Sequence, residues 1–216
     1  FAWLLMHCGR AGFRLHLTHP RLTPDVRKML RRILPVALGA GVYQVSLLID
    51  TIIASLLPAG SISFLFFADR VNQLPLGIAG VAVGTALLPL MSRQLRAEGE
   101  ADALASQNRA IEFSLFLTLP AAAALVVIAE PIISVLFERG AFDAASVKAT
   151  AGALSIYATG LPAYVLVKAL APGFFARGDT ATPVKIAGFA LAVNLILNLF
   201  LMGPFLHLGI AAATTV

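Results

Sequence analysis

The stretch "SISFLFFADRVNQLPLGIAGVAVGTALLPL", residues 61–90, is apolar enough to live in a bilayer, yet Asp69 and Arg70 sit inside it. A charge at the centre of a membrane helix costs about 2.5–3.5 kcal/mol on insertion scales. Neighbouring residues on a helix point about 100° apart, so these two do not pair with each other in the favoured i, i+4 manner. Something else must hold the arginine, or use it.

The rest of the chain says what kind of protein this is. Of its 216 residues 59% are hydrophobic and 12% charged, and the mean hydropathy is +0.88. Soluble domains carry roughly 25% charged residues. Half that charge does not cover a water-exposed globule of this size, which points to a membrane protein. The single Cys8 excludes an internal disulfide and a cysteine metal cluster. The net charge of +5 reads as orientation and anionic-lipid contact. No aromatic-interleaved basic patch asks for a nucleic-acid partner. The opening "FAWLLMHCGRAGF" lacks an initiator Met and a signal-peptide pattern, and it reads as the tail of an apolar helix. The closing "LGIAAATTV" starts another apolar segment, so a window from a longer polytopic chain is expected.

Apolar segments at 33–57, 62–91, 111–136, 150–172 and 184–206 each approach or exceed the ~20 residues that span a bilayer. Half-segments lie at 1–9 and 208–216. The expected fold class is an all-α polytopic membrane protein, a transporter helix bundle of about five complete transmembrane helices plus two partial ones. Alternate loops share a side. Loops 10–32, 92–110 and 176–185 hold Arg10, Arg14, Arg21, Arg27, Lys28, Arg31, Arg32, Arg93, Arg96, Arg109, Arg177 and Lys185, whereas the opposite set holds Arg139 and Lys148. The positive-inside rule makes the basic set cytoplasmic.

Most spans contain proline, which is ordinary in membrane helices. Pro75 followed by Gly77, Gly80 and Gly84, just past Arg70, is more pointed: a bendable helix beside an intramembrane charge suits a transporter that changes shape. Arg70 then has two readings. It snorkels to the outer headgroups while Asp69 meets a neighbouring helix, or its planar fork faces a hydrated cavity and binds phosphate or carboxylate. Ser61, Ser63, Asn72 and Gln73 would line the same region.

Asp50 in "SLLIDTIIASLL" is another intramembrane carboxylate, and an Asp50–Arg70 bridge is one use for it. Asn194 and Asn198 in "AVNLILNLF" stack at i, i+4 on one helix face. Two amide oxygens, the Asp50 carboxylate and a hydroxyl from Thr214 or Thr215 would make a hard-oxygen site for Na⁺. An amide pair holding helices together is the plainer use of the same residues. Glu112 reads as a solvated helix start and Lys168 as a snorkelling side chain. His16 and His19 lack acidic companions, His207 stands alone, and neither a phosphate-cradling glycine loop nor a nucleophile turn is present. A transporter, not an enzyme, is expected.

The run "ADRVNQLPLGIAGVAVGTALLPLMSR", 68–93, closely resembles the signature of the MurJ/MviN family, lipid II flippases of the multidrug/oligosaccharidyl-lipid/polysaccharide exporter superfamily. "KALAPGFFARGDTATPVKIA", 168–187, and "SLLIDTIIASLLPAGSIS", 46–63, resemble two further family blocks. The resemblance implies that residues 1–14 end the sixth family helix, that 15–32 form a basic cytoplasmic loop, and that 33–216 form the C-terminal-lobe bundle with helices seven to eleven and the start of the twelfth. It implies lipid II as cargo, membrane lipids and the N-terminal lobe of the same chain as partners, and the bacterial cytoplasmic (inner) membrane as location. It places Arg70 in a cationic cavity with Ser63 nearby; Asp69, and Gln73 where some relatives carry an acidic residue three positions after the arginine, complete the candidate substrate-binding set. It places Asp50, Asn194, Asn198 and Thr214 where some relatives offer ligands to a coupling ion, Na⁺ or H⁺, and it implies no other cofactor. Pro75, Gly77 and Gly80 would be the hinge. An exporter of another polyprenyl-linked glycan or of drugs, and a non-transporting membrane scaffold, remain the rival readings.

Overall fold

The computed structural model describes residues 23–97 and 99–216, and among these there is helix and no strand. The expectations for 1–14, Cys8 and the His16/His19 pair lie outside the described residues. The chain divides into two units, Phe1–Leu34 and Pro35–Val216.

Helix α1 runs Pro24–Ser55. The Thr23 hydroxyl accepts from the Val26 N–H at 3.4 Å, and Pro24 takes the first helical position, where a missing N–H costs nothing. Residues 24–32 are therefore helical, although their charge reads as loop. A 37-residue helical run follows in three parts: α2 Ser61–Leu76, a π-helical turn Gly77–Val81, and α3 Ala82–Ala97. Pro75 has no N–H to give the ladder and its ring crowds the carbonyl one turn back, which favours the wider turn that follows. The Gly77 N–H reaches both the Gln73 and Leu74 carbonyls.

The expected loop 92–110 is almost wholly helix. Gly99, at φ 104, separates α3 from α4, Glu100–Val127, in a conformation that side chains resist. Glu112 consequently lies about three turns inside α4 rather than at its start, though it is exposed as expected. The expected span 111–136 is broken at Ile128 (φ −113, ψ 26), where α4 ends and α5, Ala129–Phe137, begins. Pro131 explains the break, because its ring would clash with the Val127 carbonyl in a continuous helix.

Helix α6, Ala144–Ala176, is the centre of the bundle and packs against α2, the π turn, α3, α4, α5 and α7. Its buried face is rich in Ala151, Ala153, Ala158, Gly160, Ala169 and Gly173, small residues that let neighbouring backbones approach. Helix α7, Ala181–Thr215, is broken at Leu206 (φ 52, ψ −130), where the fifth apolar segment was expected to end. Around this break the chain folds back tightly: a Cβ on Gly209 would lie 2.2 Å from the Leu201 carbonyl oxygen.

Among the described residues three helices, Glu100–Val127, Ala144–Ala176 and Ala181–Thr215, are long and apolar enough to cross a membrane. The expected span 33–57 falls in α1 up to Ser55, with Gln44–Ser55 an apolar helix, and 62–91 is divided by the π turn. Large apolar side chains such as Phe116, Val135, Phe189 and Phe200 point outward, as they do when lipid is the solvent. Inside, Leu65, Ala68, Val71, Leu125, Ile133, Leu154, Leu161 and Ile210 form one core shared by α2, α4, α5, α6 and α7.

Two carboxylates outside the spans cap helices. Asp143 accepts from the Ser146 N–H at 2.9 Å and its hydroxyl at 2.8 Å, and these bonds hold its carboxyl below the usual range. Asp179 is held low in the same way by Thr182, helped by the Ala181 N–H, at the start of α7. A depressed native value means the Asp143 cap contributes fully above the ordinary carboxylate range and is lost as pH falls through the native value. Hydrogen exchange at Ala145–Val147, corrected for its intrinsic rate, should accelerate below that range and, for Asp143→Ala, at neutral pH.

Gly209→Ala should destabilise the protein by about 1–3 kcal/mol in detergent unfolding, since the Cβ meets backbone, which has nowhere to go. Gly188→Ala, in the same helix with nothing within 4 Å of its Cβ, should instead be neutral or gain a few tenths to about 1 kcal/mol.

Candidate functional site

The structure brings Asp50, Asn194, Asn198 and Thr214 together. Asn194 and Asn198 lie one turn apart on α7 and are buried; Asn198 Nδ2 donates to Asn194 Oδ1 at 3.1 Å and to Asp50 Oδ1 at 2.6 Å. Thr214 Oγ1 is 3.3 Å from Asp50 Oδ2 and 2.9 Å from the Ile210 carbonyl, so its one proton can serve either oxygen. On a straight helix Asn198 and Thr214 would stand about 24 Å apart at 1.5 Å per residue. The break at Leu206 is what lets both reach one carboxylate. Asn198 Oδ1 is buried with no hydrogen-bond partner. The Asp50–Arg70 bridge is not formed: Asp50 is committed to Asn198 and Thr214, and the one ion pair among the described residues is Arg177–Glu100 at 2.9 Å.

Arg70 lies elsewhere. It is exposed on α2, and its guanidinium carbon sits 5.1 Å from the centre of the Phe66 ring, one turn earlier. That is cation–π distance, and it leaves the planar edge of the guanidinium free to meet an anion. Ser63, two turns from Arg70, is exposed on the same face. Asp69 and Gln73 do not join that face. They are half-buried and bonded to each other, Gln73 Nε2 donating to Asp69 Oδ2 at 2.5 Å. Asp69 thus finds its partner on its own helix, not on a neighbour. Ser61 and Asn72 also depart from the expected lining. Ser61 is buried and donates to the Pro58 carbonyl at 2.7 Å; Asn72 is buried with Oδ1 unpartnered, on the side of α2 away from Arg70.

The hinge residues sit in one place: Pro75 in the last turn of α2, Gly77 and Gly80 inside the π turn. Lys168 of α6 crosses this turn, and a Cβ on Gly80 would meet its Cδ at 2.6 Å, so the lysine stem packs over the hinge. His207 is not alone: its ring packs on Phe64, centres 5.5 Å apart, and Nε2 is 3.2 Å from the Ala149 carbonyl.

Several residues that matter to the site carry no signal in the linear sequence. Tyr164 donates its hydroxyl to the Thr214 carbonyl at 2.5 Å. Tyr157 is buried within electrostatic reach of Asp69 and Asp50. Gln107 of α4 enters a notch at Gly173 and donates to the Ala169 and Leu170 carbonyls, both at 3.3 Å, in the turn that Pro172 disturbs.

This helix bundle, with its broken spans, carboxylate–amide network and exposed arginine, shares its fold with known membrane transporters. The chain superposes on a lipid II flippase MurJ in its inward closed conformation with a TM-score of 0.78 and 26% identity, over 98% of this chain and 45% of that one. A MOP superfamily transporter from Pyrococcus furiosus shares the fold at 20% identity and TM-score 0.73, over 86% of this chain and 40% of its own. In sequence, the family described as lipid II flippase MurJ matches residues 1–216. A probable lipid II flippase MurJ of Rhizobium meliloti (strain 1021) is 51% identical over 95% of this chain and 38% of its own length. A lipid II flippase MurJ of Burkholderia cenocepacia is 37% identical over 87% of this chain and 36% of its own. The chain belongs to the lipid II flippase MurJ family, and it spans well under half the length of these curated relatives.

Asn198→Leu should destabilise the protein by about 1.5–3 kcal/mol, because it strips a half-buried carboxylate of its closest donor. The melting temperature of the purified protein in detergent checks this.

Proposed function

We propose that the protein takes part in moving lipid II, the undecaprenyl-pyrophosphate-linked disaccharide-pentapeptide, from the cytoplasmic to the outer leaflet of the bacterial cytoplasmic (inner) membrane. The product would feed peptidoglycan synthesis, and through it cell wall organisation and cell shape. The observation that carries this reading is the family match across residues 1–216. That match supports a transporter rather than an enzyme, in which the described residues would supply the C-terminal lobe of a two-lobed carrier and the N-terminal lobe would come from the full-length chain.

In this reading Arg70 does the electrostatic work. A pyrophosphate leaving the headgroup region loses hydration, and a guanidinium displayed over Phe66 offers it a charge-assisted, bidentate partner. Ser63, on the same exposed face, adds a hydroxyl donor. Asp69, bonded to Gln73, stays close by as a fixed negative charge that keeps the anion from being held too tightly. The polyprenyl tail remains among lipids. Exchange between inward- and outward-facing states bends the α2–α3 run at Pro75, Gly77 and Gly80, where the π turn has already loosened the ladder.

Asp50, Asn194, Asn198 and Thr214 would hold the coupling ion, Na⁺ in preference to H⁺. The donor set is one carboxylate, two amides and a hydroxyl, the hard oxygens such a cation selects, and the unpartnered Asn198 Oδ1 is an acceptor in want of a positive charge. A bound cation would neutralise Asp50 within the span. Until then Asn198 Nδ2 occupies the carboxylate, and Thr214 can donate to Ile210 while keeping its lone pairs free.

The test uses cells depleted of their own lipid II flippase and complemented with the full-length protein, with outer-leaflet lipid II read by a membrane-impermeant probe. Wild type should restore transport, and Arg70→Ala at matched expression should lower it about 10- to 100-fold, the worth of a charge-assisted bond. Full transport by Arg70→Ala would overturn the role of the arginine. No transport by wild type would overturn the cargo, leaving an exporter of another polyprenyl-linked glycan or of drugs, or a membrane scaffold.

A further inference from the structure

The carboxylate–amide network on α1 and α7 is held from a third side. Thr214 reaches Asp50 through its hydroxyl, but its backbone carbonyl is gripped by Tyr164 of α6 at 2.5 Å. One turn earlier on α6, Gly160 is buried, and the space where its Cβ would sit is taken by Thr215: Cγ2 at 2.6 Å and the carbonyl oxygen at 3.3 Å. The Tyr164 ring closes the same notch, its Cε2 3.3 Å from that point. Thr215 completes the contact by bonding its hydroxyl to the Ala211 carbonyl at 2.7 Å, with the Ile156 carbonyl of α6 at 3.5 Å. Two successive threonines are therefore fixed differently, Thr215 into α6 and Thr214 towards Asp50.

We propose that Gly160 and Tyr164 form a seat on α6 that positions Thr214 as a ligand for a monovalent cation at Asp50, so that cation affinity depends on two residues that never touch the ion. This rests on the reading of Asp50, Asn194, Asn198 and Thr214 as an ion site. The physical argument is one of tolerance. A cation ligand must be held to a fraction of an ångström, and a side chain near the end of a helical segment that follows a break is not fixed by its own helix alone. The Thr214 hydroxyl bonds the Ile210 carbonyl on its own helix and meets Asp50 only at a weak 3.3 Å, whereas the Tyr164 bond and the Gly160 notch tie the turn that carries it to α6. Both are positioning residues.

The experiment follows melting of the purified full-length protein in detergent as NaCl replaces choline chloride at constant ionic strength, for wild type, Asp50→Asn, Tyr164→Phe and Gly160→Ala. Wild type should show a saturable, sodium-dependent rise and Asp50→Asn none. Tyr164→Phe removes one hydroxyl and should raise the half-saturating sodium concentration about three- to tenfold, the worth of one hydrogen bond. Gly160→Ala, which displaces Thr215, should shift it in the same direction. A purely structural role would lower melting equally with and without sodium and leave half-saturation where it was, and that result would overturn the seat while the ion site stands. The absence of a sodium response in wild type, or the same response in Asp50→Asn, would overturn the ion site and the seat with it.

Discussion

Everything else in this bundle depends on how closely other helices can approach α6. In lipid the helices gain little from hiding apolar surface, since the solvent is as oily as the interior, so association rests on close packing and on hydrogen bonds between helices. Alanines and glycines along α6 allow that approach, and at Gly173 and Gly160 the missing side chains are replaced by Gln107 and Thr215 from neighbouring helices. The same sparseness that makes the packing tight also admits polar groups to the backbone. The helix is therefore both the mechanical axis of the bundle and a partner of its polar sites.

The two charged regions differ in kind. The network at Asp50 is shared between helices distant in sequence, whereas Arg70 is displayed on one face of a single helix with an aromatic ring beneath it. In the function proposed above, the first would take a small cation and the second a large anion whose remainder lies outside the bundle. Lys168 across Gly80 adds a third feature, a charged side chain resting on the one segment of the α2–α3 run where the helical ladder widens.

Much of this was legible in the residues. Asn194 and Asn198 share a face by spacing alone, an intramembrane Asp50 needs oxygen or nitrogen partners, and Pro75 with its glycines marks a weakened helix. The rest was hidden for identifiable reasons. Charge in residues 24–32 and 92–110 reads as loop, but charge reports only that a segment meets water; helices that extend past the apolar layer are charged as well. The break at Ile128 follows from Pro131, but only once helix is known to continue on both sides. Whether Asp69 turns to Gln73 or to another helix is a choice of rotamer, and the seat at Gly160 is a contact between residues more than fifty positions apart. Spacing along the chain carries no information about either.

The break at Leu206 has a geometric consequence. Two groups that meet the same carboxylate, Asn198 before it and Thr214 after it, are the arms of a calliper with Leu206 as its pivot. Opening the angle parts the arms and closing it brings them together, so the filling of the gap between them and the direction taken by the last turns of the chain are a single degree of freedom. A sphere of one ionic radius held between the arms would fix that angle, and a sphere of another radius would fix a different one.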